Sequence, residues 1–249
     1  MRLEECWHNI ALNLPDTVKI EGAIVAHWLQ TPVPLFNHVT GVNVTEDETE
    51  AFIKKMVDHF SSKGLPFACF RVSPLTRPVS FASLLGRYGF EKKSEQSIMV
   101  FKGKSPRNRL TPDIKVKGIA EDEIDVFDRL MFASFELPTE WKEVFDRLML
   151  RWLRRGVKSY LAYVDGKPVG TVTLVSKAKI GCILNVGTLK EYRRRGIGTT
   201  LTVHALLESF KERNDLHTLQ TTKGGEAERL YQKMGFQTDH TVSFFSKNF

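Results

Sequence analysis

The chain has 249 residues, 42% hydrophobic and 26% charged, with no low-complexity tract, which excludes a disordered or fibrous polypeptide and suits two domains. Its apolar runs fall well short of the roughly 18 residues a membrane span needs, and the start MRLEECWHNI lacks an apolar signal region, so a cytoplasmic protein without membrane contact is expected. The formal net charge of +7 divides as +1 up to Lys104 and +6 beyond it, so the second half suits an anionic ligand.

In the first half, TEDETEAF carries Asp47, Glu48 and Glu50 in an acidic stretch without glycine, and FASLLGRYGFEKK contains the pair Gly89-Phe90. Residues 104–112, polar, basic and interrupted by Pro106 and Pro112, read as a linker between a domain at 1–103 and another at 113–249. Next, Ile124, Phe127, Leu130 and Met131 recur at helical spacing, predicting a helix from about Glu121 to Ser134. A turn with Thr139 as N-cap follows, then a second helix marked by Trp141, Val144, Phe145, Leu148 and Trp152 and ended by Gly156.

The period then changes. SYLAYV and PVGTVTLV are strand-like runs joined through Asp165-Gly166, a strong hairpin signal, and CILNVGTL is a further strand. EYRRRGIGTT leads into a helix at TLTVHALLESFKER, and a strand at HTLQTT, a short helix at EAERLYQKM and a strand at TVSFFS complete the chain. The pattern around Gly89-Phe90 repeats around Gly235-Phe236, so two related domains are expected. Cys6, Cys69 and Cys182 are scattered and odd in number, giving neither a disulfide framework nor a metal spacing, and read as reduced core thiols.

Arg193, Gly196 and Gly198 satisfy R-x-x-G-x-G between a strand and a helix, the layout of an anion cradle. Glycines let the backbone approach phosphate oxygens, the first N–H groups of a helix lack internal partners, and the macrodipole adds about half a positive charge. The loop alone is equally compatible with a solvated helix start. Neither the three-glycine dinucleotide fingerprint nor the Gly-Lys-Ser/Thr nucleotide loop is present.

NVGTLKEYRRRGIG, the helix after it and LYQKMGF together resemble the GCN5-related N-acetyltransferase (GNAT) superfamily, whose acetyl-CoA signature is R/Q-x-x-G-x-G/A, and the resemblance covers the second half. It implies an α/β fold of two tandem acyl-CoA N-acyltransferase-like domains, each a mixed, mostly antiparallel sheet flanked by helices, the first degenerate. Acetyl-CoA would be the cosubstrate, with no metal. Backbone groups of Val186, Gly187 and Thr188 would hold the pantetheine arm and acyl carbonyl; Arg193, Arg194, Arg195, Gly196, Ile197, Gly198 and Thr199 would hold the pyrophosphate.

Tyr231 matches the tyrosine that many members use to protonate the departing thiolate; packing of the short helix is its other reading. A phenol of pKa about 10 suits the donor role. Many relatives carry an asparagine about seven residues earlier, where this chain has Gly224 and Gly225, and Leu85 holds the corresponding tyrosine position in the first domain. No general base is identifiable: Glu136 falls where the resemblance implies the acceptor cleft and is a base candidate, though a solvated loop charge is the simpler reading, while His204 reads as helix packing and Glu191 as surface.

The implied reaction is direct acetyl transfer to a primary amine on a small molecule or peptide, by a monomer or homodimer. The competing reading is a non-catalytic acyl-CoA sensor or interaction module. Nucleic-acid binding is not expected, because the basic residues are not interleaved with aromatics. Arg147, Arg151, Arg154, Arg155 and Lys158 make one side of the second helix basic, which most simply is a solvated face.

Overall fold

The computed structural model describes residues 2–11, 14, 16–34, 36–106 and 110–249. In chain order the elements are α1 (Arg2–Ala11), β1 (Val18–Ile20), β2 (Ala23–Ala26), β3 (His38–Thr40), α2 (Glu46–Ser62), β4 (Phe67–Val72), α3 (Phe81–Arg87) and β5 (Glu91–Phe101). They continue as β6 (Lys115–Gly118), α4 (Ile124–Phe135), α5 (Lys142–Arg154), β7 (Lys158–Val164), β8 (Lys167–Lys177), β9 (Ile180–Thr188), α6 (Ile197–Lys211), β10 (Leu216–Thr222), α7 (Glu226–Lys233) and β11 (Phe236–Asn248).

They form two compact units, Met1–Ile98 with Asp239–Phe249, and Met99–Thr238. The terminal strand therefore closes on the first unit, where a linear division near residue 104 would leave it in the second half. The middle of the expected linker, residues 107–109, lies outside the described residues.

In the first unit β1, β2 and β3 run antiparallel, β3 pairs β4 in parallel, and β4 pairs β11 antiparallel from Ser243↔Val72 to Asn248↔Phe67. The parallel pair is bridged by α2, whose buried Phe52, Ile53, Met56 and Phe60 recur at helical spacing and cover the sheet. Phe70 on β4 contacts Phe81 and Phe90 at ring-centroid separations of 5.5 and 5.2 Å. The acidic start of α2 caps itself: Thr45 N–H and Oγ1 both donate to Glu48 Oε2, at 3.0 and 2.8 Å.

The second unit repeats the plan. β6, β7, β8 and β9 are successively antiparallel, and β9 pairs β10 in parallel across α6. Asp165-Gly166, both at positive φ, turn β7 into β8 as their sequence foretells. Ala178 and Lys179 also adopt positive φ between β8 and β9, a turn without the usual glycine. The core joins Val172, Leu174, Ile183, Leu201, Leu206, Leu219, Tyr231 and Phe236, so α6 and α7 seat on strands whose inward residues are branched aliphatics. The observed α4 begins at Ile124 after a short 3₁₀ turn, and Thr139 opens a second 3₁₀ turn, leaving Trp141 as the cap of α5.

Both units are α/β, with mixed sheets flanked by helices. Among the described residues no helix is long and apolar enough to cross a membrane. Cys69 is a buried free thiol, in keeping with its reading as a reduced core cysteine.

Candidate active site

The site is built where β9 leaves its neighbour. The parallel register with β10 ends at Leu219↔Ile183, while β9 continues to Thr188 and β10 to Thr222. On its other edge β9 stays paired with β8, but Thr173↔Leu184 and Thr171↔Gly187 leave two residues of β9 opposite one of β8. This bulge falls at Asn185 and Val186. Asn185 has φ 54, and its conformation is held by Thr171 Oγ1 donating to Asn185 O at 2.8 Å and Asn185 Nδ2 donating to Thr173 Oγ1 at 3.2 Å. The bulge re-aims the last turn of strand, Val186, Gly187 and Thr188, toward the opening.

Gly187 is required by close approach. A Cβ there would stand 2.9 Å from Ser134 Cβ and 3.0 Å from Thr171 Oγ1, so the C-terminal end of α4 lies directly on β9. Ser134 Oγ is buried without a hydrogen-bond partner.

A 3₁₀ turn at Lys190–Tyr192 follows, then Arg194 at φ 64 and Gly196 at φ 82, after which α6 begins. The first backbone bond of the helix runs from Thr200 N–H to Gly196 O at 2.9 Å. Ahead of it, the N–H groups of residues 194–199 have no acceptor among the described residues. Five consecutive residues of the motif thus present free donors at the positive end of a 15-residue helix, together with Thr199. Thr111 flanks this turn: its N–H donates to Thr200 Oγ1 at 3.4 Å and its Oγ1 accepts from Thr200 Oγ1 at 3.2 Å. A Cβ on Gly196 would lie 3.3 Å from Thr111 Oγ1, whereas one on Gly198 would face Thr188 Oγ1 and Leu230 at about 4 Å.

The three arginines do different things. Arg193 donates through Nε to Thr188 O at 3.2 Å and through a terminal nitrogen to Ser134 O at 2.9 Å. Arg194 pairs with Glu226 at 2.7 Å, both side chains well exposed. Arg195 lies over the Tyr192 ring, 5.2 Å from its centroid.

Tyr231 on α7 is 7% exposed and makes an edge contact with Phe236 at 5.8 Å. Burial pushes its phenol up to about 12, partly offset by a hydrogen bond with Thr202, so the proton stays on oxygen at neutral pH. Gly224, at φ 73, donates its N–H to Glu228 Oε2 at 2.6 Å ahead of α7.

Glu136 is the exposed left-handed cap of α4, Glu191 is exposed, and His204 packs edge-on to Tyr160 at 4.6 Å with its pKa lowered by burial. The basic side of α5 lines a shallow depression of about 300 Å³ with Arg147, Leu150, Arg151, Arg154 and Arg155. Sequence reasoning missed Ser134, Thr111 and Glu226, whose roles come from contacts 32 to 89 residues distant in the chain. It also missed Asp128 on α4. Burial pushes this carboxyl up to about 9, nearby Asp146 adds to the shift, and neither oxygen has a partner in hydrogen-bond geometry.

A strand opened from its parallel neighbour, a bulge beside the opening and a glycine turn of free N–H groups define an α/β cleft suited to an anionic ligand. Residues 155–238 match the acetyltransferase (GNAT) domain family model. Among solved structures, a GCN5-related N-acetyltransferase from Kribbella flavida is 16% identical over 99% of this chain and 94% of its own, with a TM-score of 0.76. A GCN5-related N-acetyltransferase from Sphaerobacter thermophilus is 15% identical over 82% and 69%, at 0.66. A tandem GNAT protein from the clavulanic acid biosynthesis pathway is 12% identical over 80% and 69%, at 0.60. No curated protein matches the chain. Residues 155–238 are thus similar to the GNAT acetyltransferase domain, and the chain shares the fold of these structures.

Proposed function

We propose that the protein is an acetyl-CoA-dependent N-acetyltransferase whose second unit, Met99–Thr238, holds the cofactor and transfers acetyl to a primary amine. The observation that carries this reading is the run of partnerless N–H groups at residues 194–199, directly after a strand whose own edge is open beyond Ile183. Neutral backbone donors at a helix start suit a pyrophosphate, and the free edge of Val186, Gly187 and Thr188 suits the amide-bearing arm of CoA. Arg194 and Arg195 add exposed positive charge at the rim.

CoA supplies the activated thioester when bound; the chain supplies position and protons. A backbone N–H of the β9 bulge would steady the developing oxyanion, and the cleft would hold the amine in line with the acyl carbon. Tyr231, kept neutral by burial, would give its proton to the departing sulfur. The chemistry calls on no metal. The first unit would be a degenerate copy: the start of α2 is closed by Glu48, and Leu85 stands where Tyr231 does. A soluble, cytoplasmic monomer or homodimer acting on a small-molecule or peptide amine completes the reading.

A non-catalytic acyl-CoA-binding module is the second reading, favoured by the depth of Tyr231 and its bond to Thr202. Thiol release from acetyl-CoA with a panel of primary amines separates the two. Catalysis predicts amine-dependent release that falls roughly 10² to 10⁴-fold in Tyr231→Phe with CoA affinity retained. No release with any amine, alongside tight CoA binding, would favour the module, and wild-type turnover in Tyr231→Phe would return the tyrosine to packing.

A further inference from the structure

Arg193 stands first in the glycine motif, yet its guanidinium is not directed at the free N–H groups of the loop. It bridges two carbonyls: Thr188 O at the end of β9, at 3.2 Å, and Ser134 O in the last turn of α4, at 2.9 Å. Those carbonyls belong to the two elements that Gly187 brings into contact, where α4 already approaches within the space of a missing Cβ. Ser134 O is among the last carbonyls of α4, which have no intrahelical N–H to accept, so the cation also meets the negative end of that helix. Immediately beyond lie Phe135, 47% exposed, and Glu136 in the left-handed conformation, the end of α4 that flanks the opening of β9.

We infer that Arg193 is a positioning residue that clasps the C-terminal end of α4 to the end of β9, so that it sets the amine side of the cleft and is not a phosphate ligand. The inference rests on the acetyltransferase reading for its effect on turnover, but not for the clasp itself. The chemistry favours arginine because a planar fork presents donors in two fixed directions, as two carbonyls from different elements require; a lysine ammonium offers the same charge from a single point. Arg194 and Arg195, which carry no such backbone bonds, are the arginines left to respond to an anion.

The test compares Arg193→Lys, which keeps the charge and loses the fork, with Arg193→Met, which loses both, in the full chain. Amide hydrogen exchange is read over residues 133–138, where Glu136 and Leu137 N–H bond to Phe132 O. CoA affinity is titrated at 50 and 200 mM salt, and kcat/KM is measured for lysine amide at saturating acetyl-CoA. The clasp predicts faster exchange at Glu136 and Leu137 in both variants, by roughly tenfold for one lost charge-assisted bond pair. It also predicts CoA affinity within about threefold of wild type in Arg193→Lys, an unchanged salt slope in both, and a similar loss of kcat/KM for lysine amide in both.

Wild-type exchange in both variants would overturn the clasp. So would a wild-type Arg193→Lys beside an Arg193→Met that loses CoA affinity and salt dependence, since the charge would then be acting on phosphate. Absence of turnover in the wild-type protein would count against the acetyltransferase reading, and the exchange and salt arms would still decide the clasp.

Discussion

Arg194 on the glycine turn and Glu226 at the start of α7 meet at 2.7 Å, placing a carboxylate beside the turn that presents the free N–H groups. An incoming pyrophosphate would meet that carboxylate as a like charge and compete with it for the guanidinium. Replacing Glu226 by Gln should therefore tighten CoA binding by roughly two- to fivefold at low salt, a small effect because the pair is exposed, and the gain should fade by 0.5 M salt. Titration calorimetry at the two salt concentrations reads it; weaker binding in the variant would mean that Glu226 helps to hold the cofactor.

Chain order does not match the compact units, and this bears on any attempt to isolate the second half. In the second unit Thr218 Oγ1 of β10 donates to Met99 O at 2.9 Å, and Phe101 packs on Phe236 at 5.4 Å, so β5 is part of that core. A fragment starting at Lys104 lacks these residues and also lacks β4, to which residues 243–248 pair. Each buried side chain of this size contributes about 1.5–3 kcal/mol, so the fragment should melt well below the full chain and associate in solution. Size-exclusion chromatography and thermal melting check this, and a monodisperse fragment with the parent melting temperature would refute it.

A buried ionic network in the first unit makes its stability depend on pH. Arg71 donates to both Glu4 oxygens, at 2.6 and 3.0 Å, and His240 bridges Glu4 and Asp239 at 2.9 and 2.8 Å, with His8 3.9 Å from Glu4. Burial pushes the Glu4 carboxyl up, but hydrogen bonds from His240 and Arg71 outweigh it and hold the group well below the usual carboxylate range. Burial alone would lower His240; its bonds to Glu4 and Asp239 raise it above 6.5 instead. The raised pKa means that His240 stabilises fully below about pH 6.5 and loses this contribution as pH rises through the folded value. His8, His27 and His59 titrate in the opposite sense, so the comparison is between wild type and His240→Gln. The wild-type advantage should be about 1–3 kcal/mol at pH 5.5 and shrink by pH 9. An advantage that grows with pH would show that His240 is neutral in the fold.

Much of this was legible in the residues. Apolar spacing placed α4 and α5, Asp165-Gly166 announced its hairpin, and Gly196 marked the turn because a φ of 82 is costly for any residue with a Cβ. The turn at Ala178 and Lys179 was silent because neither residue advertises positive φ. β6 was silent for a different reason: only four residues long, it is too short for alternation to emerge. Partner choice was illegible throughout. The amphipathic pattern of β11 says that it joins a sheet but not which one, and nothing near Arg193 signals a carbonyl 59 residues earlier. Local propensity and periodicity are written in neighbours along the chain, whereas clasps and strand exchange are written in distance through space.

Calorimetric titration of the full chain with CoA, repeated on Gly198→Val, tests the central claim most directly. A Cβ at Gly198 meets only Thr188 Oγ1 and Leu230, at 3.9 and 4.0 Å, so the fold should tolerate valine while the branch methyls enter the space before the free N–H groups. The account predicts one CoA per chain in the wild type, at the start of α6, and a loss of affinity of at least about tenfold in a variant that melts like the parent. Two equivalents per chain, or unchanged affinity in folded Gly198→Val, would contradict it.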